Sequence, residues 1–119
     1  PEAVVLRAKL ALHGGDQEAI KARMEELSAK RRASQPLEMP SAGSTFKRPE
    51  GYFAGTLIEQ CGLKGKHVGG AEVSCKHAGF VVNAGGATCA DVLALIKKVQ
   101  DTVFTATGVT LEPEVKIIR

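Results

Sequence analysis

Apolar and polar positions divide this chain into short, dissimilar elements. From Val4 to Leu12 the residues Val4, Leu6, Ala8, Leu10 and Leu12 fall on one side of an extended chain, with Arg7 and Lys9 on the other. That alternation predicts a half-buried strand. Gly14-Gly15 breaks it, and Asp16 offers an N-cap to a helix whose Ile20, Met24 and Leu27 recur at helical spacing. Lys21 with Glu25 and Glu26 with Lys30 form i,i+4 pairs on its wet side. This helix ends in Lys30-Arg31-Arg32 and is stopped by Gln35-Pro36. Ala54, Leu57, Ile58 and Cys61 predict a second helix ended by Gly62, which makes Cys61 a core residue. Lys64 to Gly70 reads as a flexible basic turn, and 71–74 and 80–83 as short strands. Thr88 and Asp91 mark a capped helix start, Val92, Leu95, Ile96, Val99 and Val103 a core-facing stripe, and Gly108 its end. In the last segment Val109, Leu111, Val115 and Ile117 share one face and Thr110, Glu112, Glu114 and Lys116 the other. Pro113 cannot donate to a ladder, so this strand lies at an edge or carries a bulge.

These elements give an α+β fold: a small mixed sheet with packed helices. Composition then narrows the function. The 119 residues suffice for one domain, or one domain plus a piece of another. At 44% hydrophobic but 4% aromatic, with no Trp, the core is aliphatic. A net charge of +3 with no basic run, and few aromatics for stacking, argues against nucleic acid. Cys61, Cys75 and Cys89 include no C-x-x-C pair and read as reduced thiols of a cytosolic protein. No apolar run is long enough to span a membrane. The chain opens at Pro1 directly into strand-like sequence, as if cut from something longer.

Candidate chemistry centres on Pro40-Ser-Ala-Gly-Ser-Thr-Phe-Lys-Arg-Pro49, which has neither helical nor strand periodicity. Prolines at both ends restrict the backbone, and Gly43 places Ser44 just beyond a conformation closed to other residues. A hydroxyl followed by Lys47 and Arg48 suits a phosphate- or carboxylate-bearing substrate; an ordinary solvated turn has the same make-up. The cations ending the first helix either complement its dipole or hold a diphosphate. Asn83-Ala-Gly-Gly-Ala-Thr88 is either a simple turn or an anion-binding helix start. Glu112 and Glu114 beside Lys116 form either a surface ion network or one catalytic carboxylate with its neighbour. Cys75 and His77 lack a second pair at metal-ligand spacing, so His67 and His77 are hydrogen-bonding residues near a site and His13 a turn residue.

Resemblance carries the reading further. P-S-A-G-S-T-F-K-R-P, then A-G-T-L-I-E-Q-C-G-L-K-G, G-G-A-E-V-S-C-K-H-A-G-F-V-V-N and a terminal L-E-P-E-V-K-I-I resemble, in order, the C-terminal part of the UDP-N-acetylenolpyruvoylglucosamine reductase (MurB) family. The uninterrupted path from the serine stretch into 54–62 resembles the family's shorter subtype, which lacks an extra tyrosine-bearing loop. The resemblance implies that residues 1–34 are the tail of an FAD-binding region and 35–119 a UDP-sugar domain. It implies a monomeric, cytoplasmic flavoenzyme of bacterial peptidoglycan synthesis, with NADPH as reductant, FAD held mainly by sequence before Pro1, and UDP-N-acetylglucosamine enolpyruvate as substrate. Nucleic acid and membrane have no part in it. Ser44 would be the proton donor and Glu114 the catalytic glutamate, with Glu112 its rival; Arg31, Arg32, Lys47, Arg48 and His77 would bind substrate. The family often has Asn where this chain has Arg48, so an amide contact there becomes a charged one. A phosphate- or nucleotide-sugar-binding module without catalysis is the alternative.

Overall fold

A computed structural model of the chain describes residues 3–118 and shows two compact units, Pro1–Lys30 and Arg31–Arg119. In the first, residues 3–16 have no regular structure. The strand expected from Val4 to Leu12 is therefore absent, and its apolar face is open, with Leu6 93% and Leu12 86% exposed. Alternation can select a face, but a strand also needs a neighbour for its backbone donors and acceptors, and among the described residues this segment pairs with none. The helix α1, Gln17–Ser34, starts where expected: the Asp16 carboxylate accepts from the Ala19 amide at 2.9 Å. Glu26 pairs with Lys30 at 2.6 Å and Arg23 at 2.8 Å. Those two cations, Lys30 foremost, hold its carboxyl below the ordinary range. No described side chain of α1 is buried.

The second unit is built on one four-stranded sheet in the order β1-β4-β3-β2, with strands Ser41–Ser44 (β1), His67–Val68 (β2), Ala71–Val73 (β3) and Phe80–Asn83 (β4). Every pairing is antiparallel, where a mixed sheet was expected. The reason lies in the connections: Gly69-Gly70 links β2 to β3 as a two-residue hairpin and residues 74–79 return β3 to β4, both too short for a parallel crossover. Gly69 takes φ 53. Gly70 is needed for closeness, since a Cβ there would lie 2.1 Å from the Gly85 carbonyl and 2.5 Å from the Ala87 amide.

Helices Ala54–Gln60 (α2) and Cys89–Thr107 (α3) complete this unit. α3 is capped as its sequence predicts: Thr88 Oγ1 accepts from the Asp91 amide at 3.1 Å, and the Asp91 carboxylate accepts from the Thr88 amide at 2.8 Å. Gly108 ends it at φ 74. Its Leu95, Ile96, Val99 and Val103 pack over β2 and β3 and against α2, whose Leu57 and Ile58 are buried with them. Ile58, Leu95, Leu111, Val73, Val82, Val99 and Val103 are fully buried, and each contributes about 1.5–3 kcal/mol on leaving water. Cys61 packs at the edge of this cluster. The closing strand expected over 109–117 is reduced to one isolated bridge, Phe46–Pro113. Proline leaves the segment two flanking bonds, Lys47 amide to Glu112 carbonyl and Glu114 amide to Thr45 carbonyl, both 2.8 Å. Among the described residues, no helix is long and apolar enough to cross a membrane.

Candidate functional site

The serine stretch, expected as an irregular loop, forms the edge strand β1 followed by an isolated bridge at Phe46. Its lack of apolar alternation hid this, and the register of β1 on β4 shifts between Ser41 and Ser44, where Gly43 takes φ 91. Successive side chains of an extended chain face opposite ways. Ser44, Phe46 and Arg48 accordingly line one cleft, while Thr45 and Lys47 do not. Thr45 is 3% exposed and fixes the segment. Its amide donates to the Gly79 carbonyl at 2.8 Å, its Oγ1 accepts from the Val81 amide at 3.0 Å, and its carbonyl accepts from Glu114.

The cleft has a volume of about 400 Å³. Besides Ser44 and Arg48 it is lined by Phe53, Thr56 and Glu59 at α2, by Lys64, and by Lys76 and His77 from the turn between β3 and β4. Phe53 lies under Arg48, whose Cζ is 4.1 Å from the ring centroid. Lys64 pairs with Glu59 at 2.7 Å and Lys76 with Glu38 at 3.5 Å. Among the described residues no carboxylate pairs with Arg48, so it is the cleft cation most open to an incoming anion. The turn carrying Lys76 and His77 is tied down by Ser74 Oγ, which accepts from their amides at 3.1 and 3.2 Å.

Of the residues singled out from the sequence, Ser44, Arg48 and His77 meet in this cleft. Arg31 and Arg32 end α1 and do not line it. Lys47 points away and ion-pairs with Glu112. The hydrogen bond to Glu112, then its charge, and more weakly the charge of Glu114, hold the Lys47 ammonium above the ordinary lysine range. Glu114 is joined to the site through the backbone of Thr45 rather than by lining the cleft. The glycine-rich turn before α3 is a simple turn: Asn83 Oδ1 accepts from the Gly85 and Ala87 amides at 3.0 and 3.1 Å, and Asp91 takes that of Thr88. The Asn83 and Ala84 amides go to the Pro40 and Gly70 carbonyls, so most of the turn's amides are already engaged. Sequence reading missed Phe53, Thr56, Glu59, Lys64 and Lys76. The signal was available for Lys76, which adjoins His77, and in the alternation that separates Arg48 from Lys47. Among the described residues, no three His, Cys, Asp or Glu side chains gather to hold a metal.

A hydroxyl on a pinned edge strand, sharing a cleft with an open guanidinium and two paired lysines, has the chemistry to suit an anionic small molecule. Comparison with known proteins gives the family. The family model described as UDP-N-acetylenolpyruvoylglucosamine reductase, C-terminal domain, matches residues 35–118, and the chain belongs to that family. UDP-N-acetylenolpyruvoylglucosamine reductases of Agathobacter rectalis and Clostridium novyi are 62% and 58% identical over 115 residues, 97% of this chain but 37% and 38% of theirs. That of Caldanaerobacter subterraneus subsp. tengcongensis is 56% identical over 117 residues, 98% of this chain and 39% of its own. The crystal structure of UDP-N-acetylenolpyruvylglucosamine reductase (MurB) from Thermus caldophilus matches with a TM-score of 0.76 at 39% identity, covering 91% of this chain and 38% of that one. The chain thus spans less than two fifths of the length of these relatives.

Proposed function

We propose that this chain is the substrate-binding part of a reductase that converts UDP-N-acetylglucosamine enolpyruvate to UDP-N-acetylmuramate in bacterial peptidoglycan synthesis. Residues 35–119 are the UDP-sugar domain and 1–34 the tail of an FAD-binding region. The family match over 35–118 and the division into units after Lys30 support this partition. The enzyme acts as a cytoplasmic monomer, with no nucleic acid or membrane partner. The observation that carries the reading is the convergence of Ser44 and Arg48 on one cleft in a chain of this family.

In such a reductase the electrons come from NADPH by way of FAD. The described residues do not fit a flavin dinucleotide: in the glycine-rich turn before α3 the Gly85 and Ala87 amides are taken by Asn83 and that of Ala84 by Gly70, and the polar cleft offers cations and a hydroxyl. FAD is held mainly by sequence outside this chain. What these residues supply is anion binding and a proton. Arg48 takes an acidic group of the substrate, and Lys76 and Lys64 follow by exchanging Glu38 and Glu59 for it. Ser44 delivers a proton to the carbanion-like carbon of the reduced enolpyruvyl group. An alcohol is a weak acid, so the surrounding cations must stabilise the charge that develops. Glu114, whose amide is bonded to the Thr45 carbonyl next to Ser44, is the second catalytic group, whereas Arg31, Arg32 and Lys47 stand outside the cleft lining and Lys47 stays with Glu112.

The test is Ser44→Ala in the whole reductase. NADPH oxidation without the sugar substrate should proceed nearly as before, because it needs no acid at the sugar. Turnover with the enolpyruvyl substrate should fall by about 10²–10⁴, the contribution of a positioned general acid. Equal slowing of both would make Ser44 a structural residue, and slowing of neither would move the proton source elsewhere.

A further inference from the structure

His77 sits in the cleft with one ring nitrogen already committed. Its Nδ1 accepts a hydrogen bond from the Gly79 amide at 3.0 Å. An imidazole nitrogen that accepts cannot carry the proton, so in the neutral ring the proton resides on Nε2. The ring is also clamped. Phe80 meets it edge-on, with centroids 4.9 Å apart and planes at 69°. A Cβ at Gly79 would lie 3.0 Å from His77 Cε1 and 3.1 Å from Nδ1, and one at Gly55 would lie 3.2 Å from Cε1. The two glycines therefore form a tight slot, in which an added Cβ would force the ring to give by a few tenths of an ångström. Ser74 fixes the His77 backbone from below. With Nδ1 and Cε1 turned against glycine, Nε2–H is the ring's remaining donor, and among the described residues it has no acceptor.

From this arrangement we infer that His77 is a positioning residue of preset tautomer, whose Nε2–H donates to an acceptor oxygen of the ligand bound beside Arg48. It is neither the general base nor the general acid of the site, since its lone pair is spent on Gly79. The slot also sets specificity: it selects a phosphate, carboxylate or carbonyl oxygen over a ligand N–H at that point. This assignment rests on the reading of the cleft as a UDP-sugar site.

The experiment uses the whole reductase with ¹⁵N-labelled histidine, the signals of His77 being assigned by their loss in His77→Gln. Wild-type protein should show a pyrrole-like Nε2 and a pyridine-like Nδ1 before any ligand is added. UDP-N-acetylglucosamine should then shift Nε2 without exchanging the tautomer, and His77→Ala should weaken its binding about 10-fold or more, as for a hydrogen bond to a charged oxygen. A ring protonated on Nδ1, or an Nε2 signal that stays put while calorimetry shows the sugar nucleotide binding, overturns the inference and spares the substrate reading. Failure of wild-type protein to bind UDP-N-acetylglucosamine overturns both. Gly79→Ala gives a second variant at the same slot: crowding of the ring should loosen the tautomer, and an unaltered spectrum would count against the clamp.

Discussion

Replacing Arg48 by Gln removes the one cleft cation that, among the described residues, no carboxylate neutralises. An anion arriving at Lys64 must displace Glu59, and at Lys76 it must displace Glu38, whereas at Arg48 it displaces nothing acidic. A charge-assisted hydrogen bond contributes about 1.5–3 kcal/mol. Arg48→Gln should therefore raise KM for the UDP-sugar by roughly 10- to 150-fold, with a much smaller effect on kcat if the contact is equal in ground and transition states. Phe53 acts at one remove. An exposed cation–π contact like the one at 4.1 Å contributes about 0.5–1 kcal/mol, so Phe53→Leu should raise KM by about 2- to 5-fold. Because the ring works by holding the guanidinium, the double variant should be no worse than Arg48→Gln alone. Lys47→Gln is the internal control: engaged with Glu112 outside the cleft, it should change KM by no more than about 2-fold, as befits a surface pair. Steady-state kinetics of the four variants at saturating NADPH decide the matter. An unchanged KM in Arg48→Gln, or single effects that multiply in the double variant, would refute the argument.

Two further outcomes concern the frame of the site. Thr45→Val keeps the shape but leaves the buried Val81 amide without its 3.0 Å acceptor, so it should destabilise the fold by about 1–3 kcal/mol, read by denaturant titration; a neutral result would remove Thr45 as the anchor. At the start of α3, Asp91 is held below its ordinary 3.8, chiefly by the Thr88 amide, then by the Thr88 hydroxyl, with Gly70 adding a little. A depressed carboxylate stabilises above its unfolded value and ceases to as pH falls through the folded one. The Tm gap between wild type and Asp91→Ala should thus be full at neutral pH and shrink below about pH 4, and a gap that widens in acid would contradict the capping box.

Much of the second unit was legible because its signals are local. The α3 stripe, the Thr88–Asp91 box and the Gly108 stop each depend on residues within a turn or two, and all three are found. The Ala54–Cys61 spacing gave α2, and the short apolar runs gave β3 and β4. What failed depends on partners. Val4–Leu12 alternates without a neighbouring strand, and 109–117 alternates around a proline that leaves it one bridge. The basic turn at 64–70 hid β2, whose two residues acquire strand geometry only from pairing with Ala71 and Glu72. The site followed the same rule. Ser44, Arg48 and His77 could be picked out by chemistry, but the assignment of Lys47 and Arg48 to different sides needed the extended backbone through Phe46. Lys76 could have been inferred from its neighbour His77, but Lys64 reaches the cleft through the folding of a separate turn, which no spacing in the sequence encodes.

The position of Ser44 is decided by its silent neighbour. Thr45 is tied to Gly79 just before β4, to Val81 on β4 and to Glu114 in the closing segment, so its own stretch and two others distant in sequence meet at one buried residue. Period-two alternation then leaves no choice: with Thr45 turned inward, Ser44 and Phe46 cannot follow it, and both line the cleft. Phe46, 4% exposed, forms the apolar floor there, while its bridge to Pro113 sets the closing segment alongside. Among the described residues the hydroxyl itself makes one long contact, 3.4 Å to the Phe46 carbonyl, which leaves it room to turn toward a ligand. A rigid backbone carrying a loosely held hydroxyl is the combination that proton delivery requires, since position is set before substrate arrives and the O–H bond can still be aimed. Gly43 makes the same division of labour possible on the other side: its φ of 91 lets the strand slip register just ahead of Ser44, so that pairing with β4 resumes at Phe80 with Thr45, and not Ser44, in the buried place.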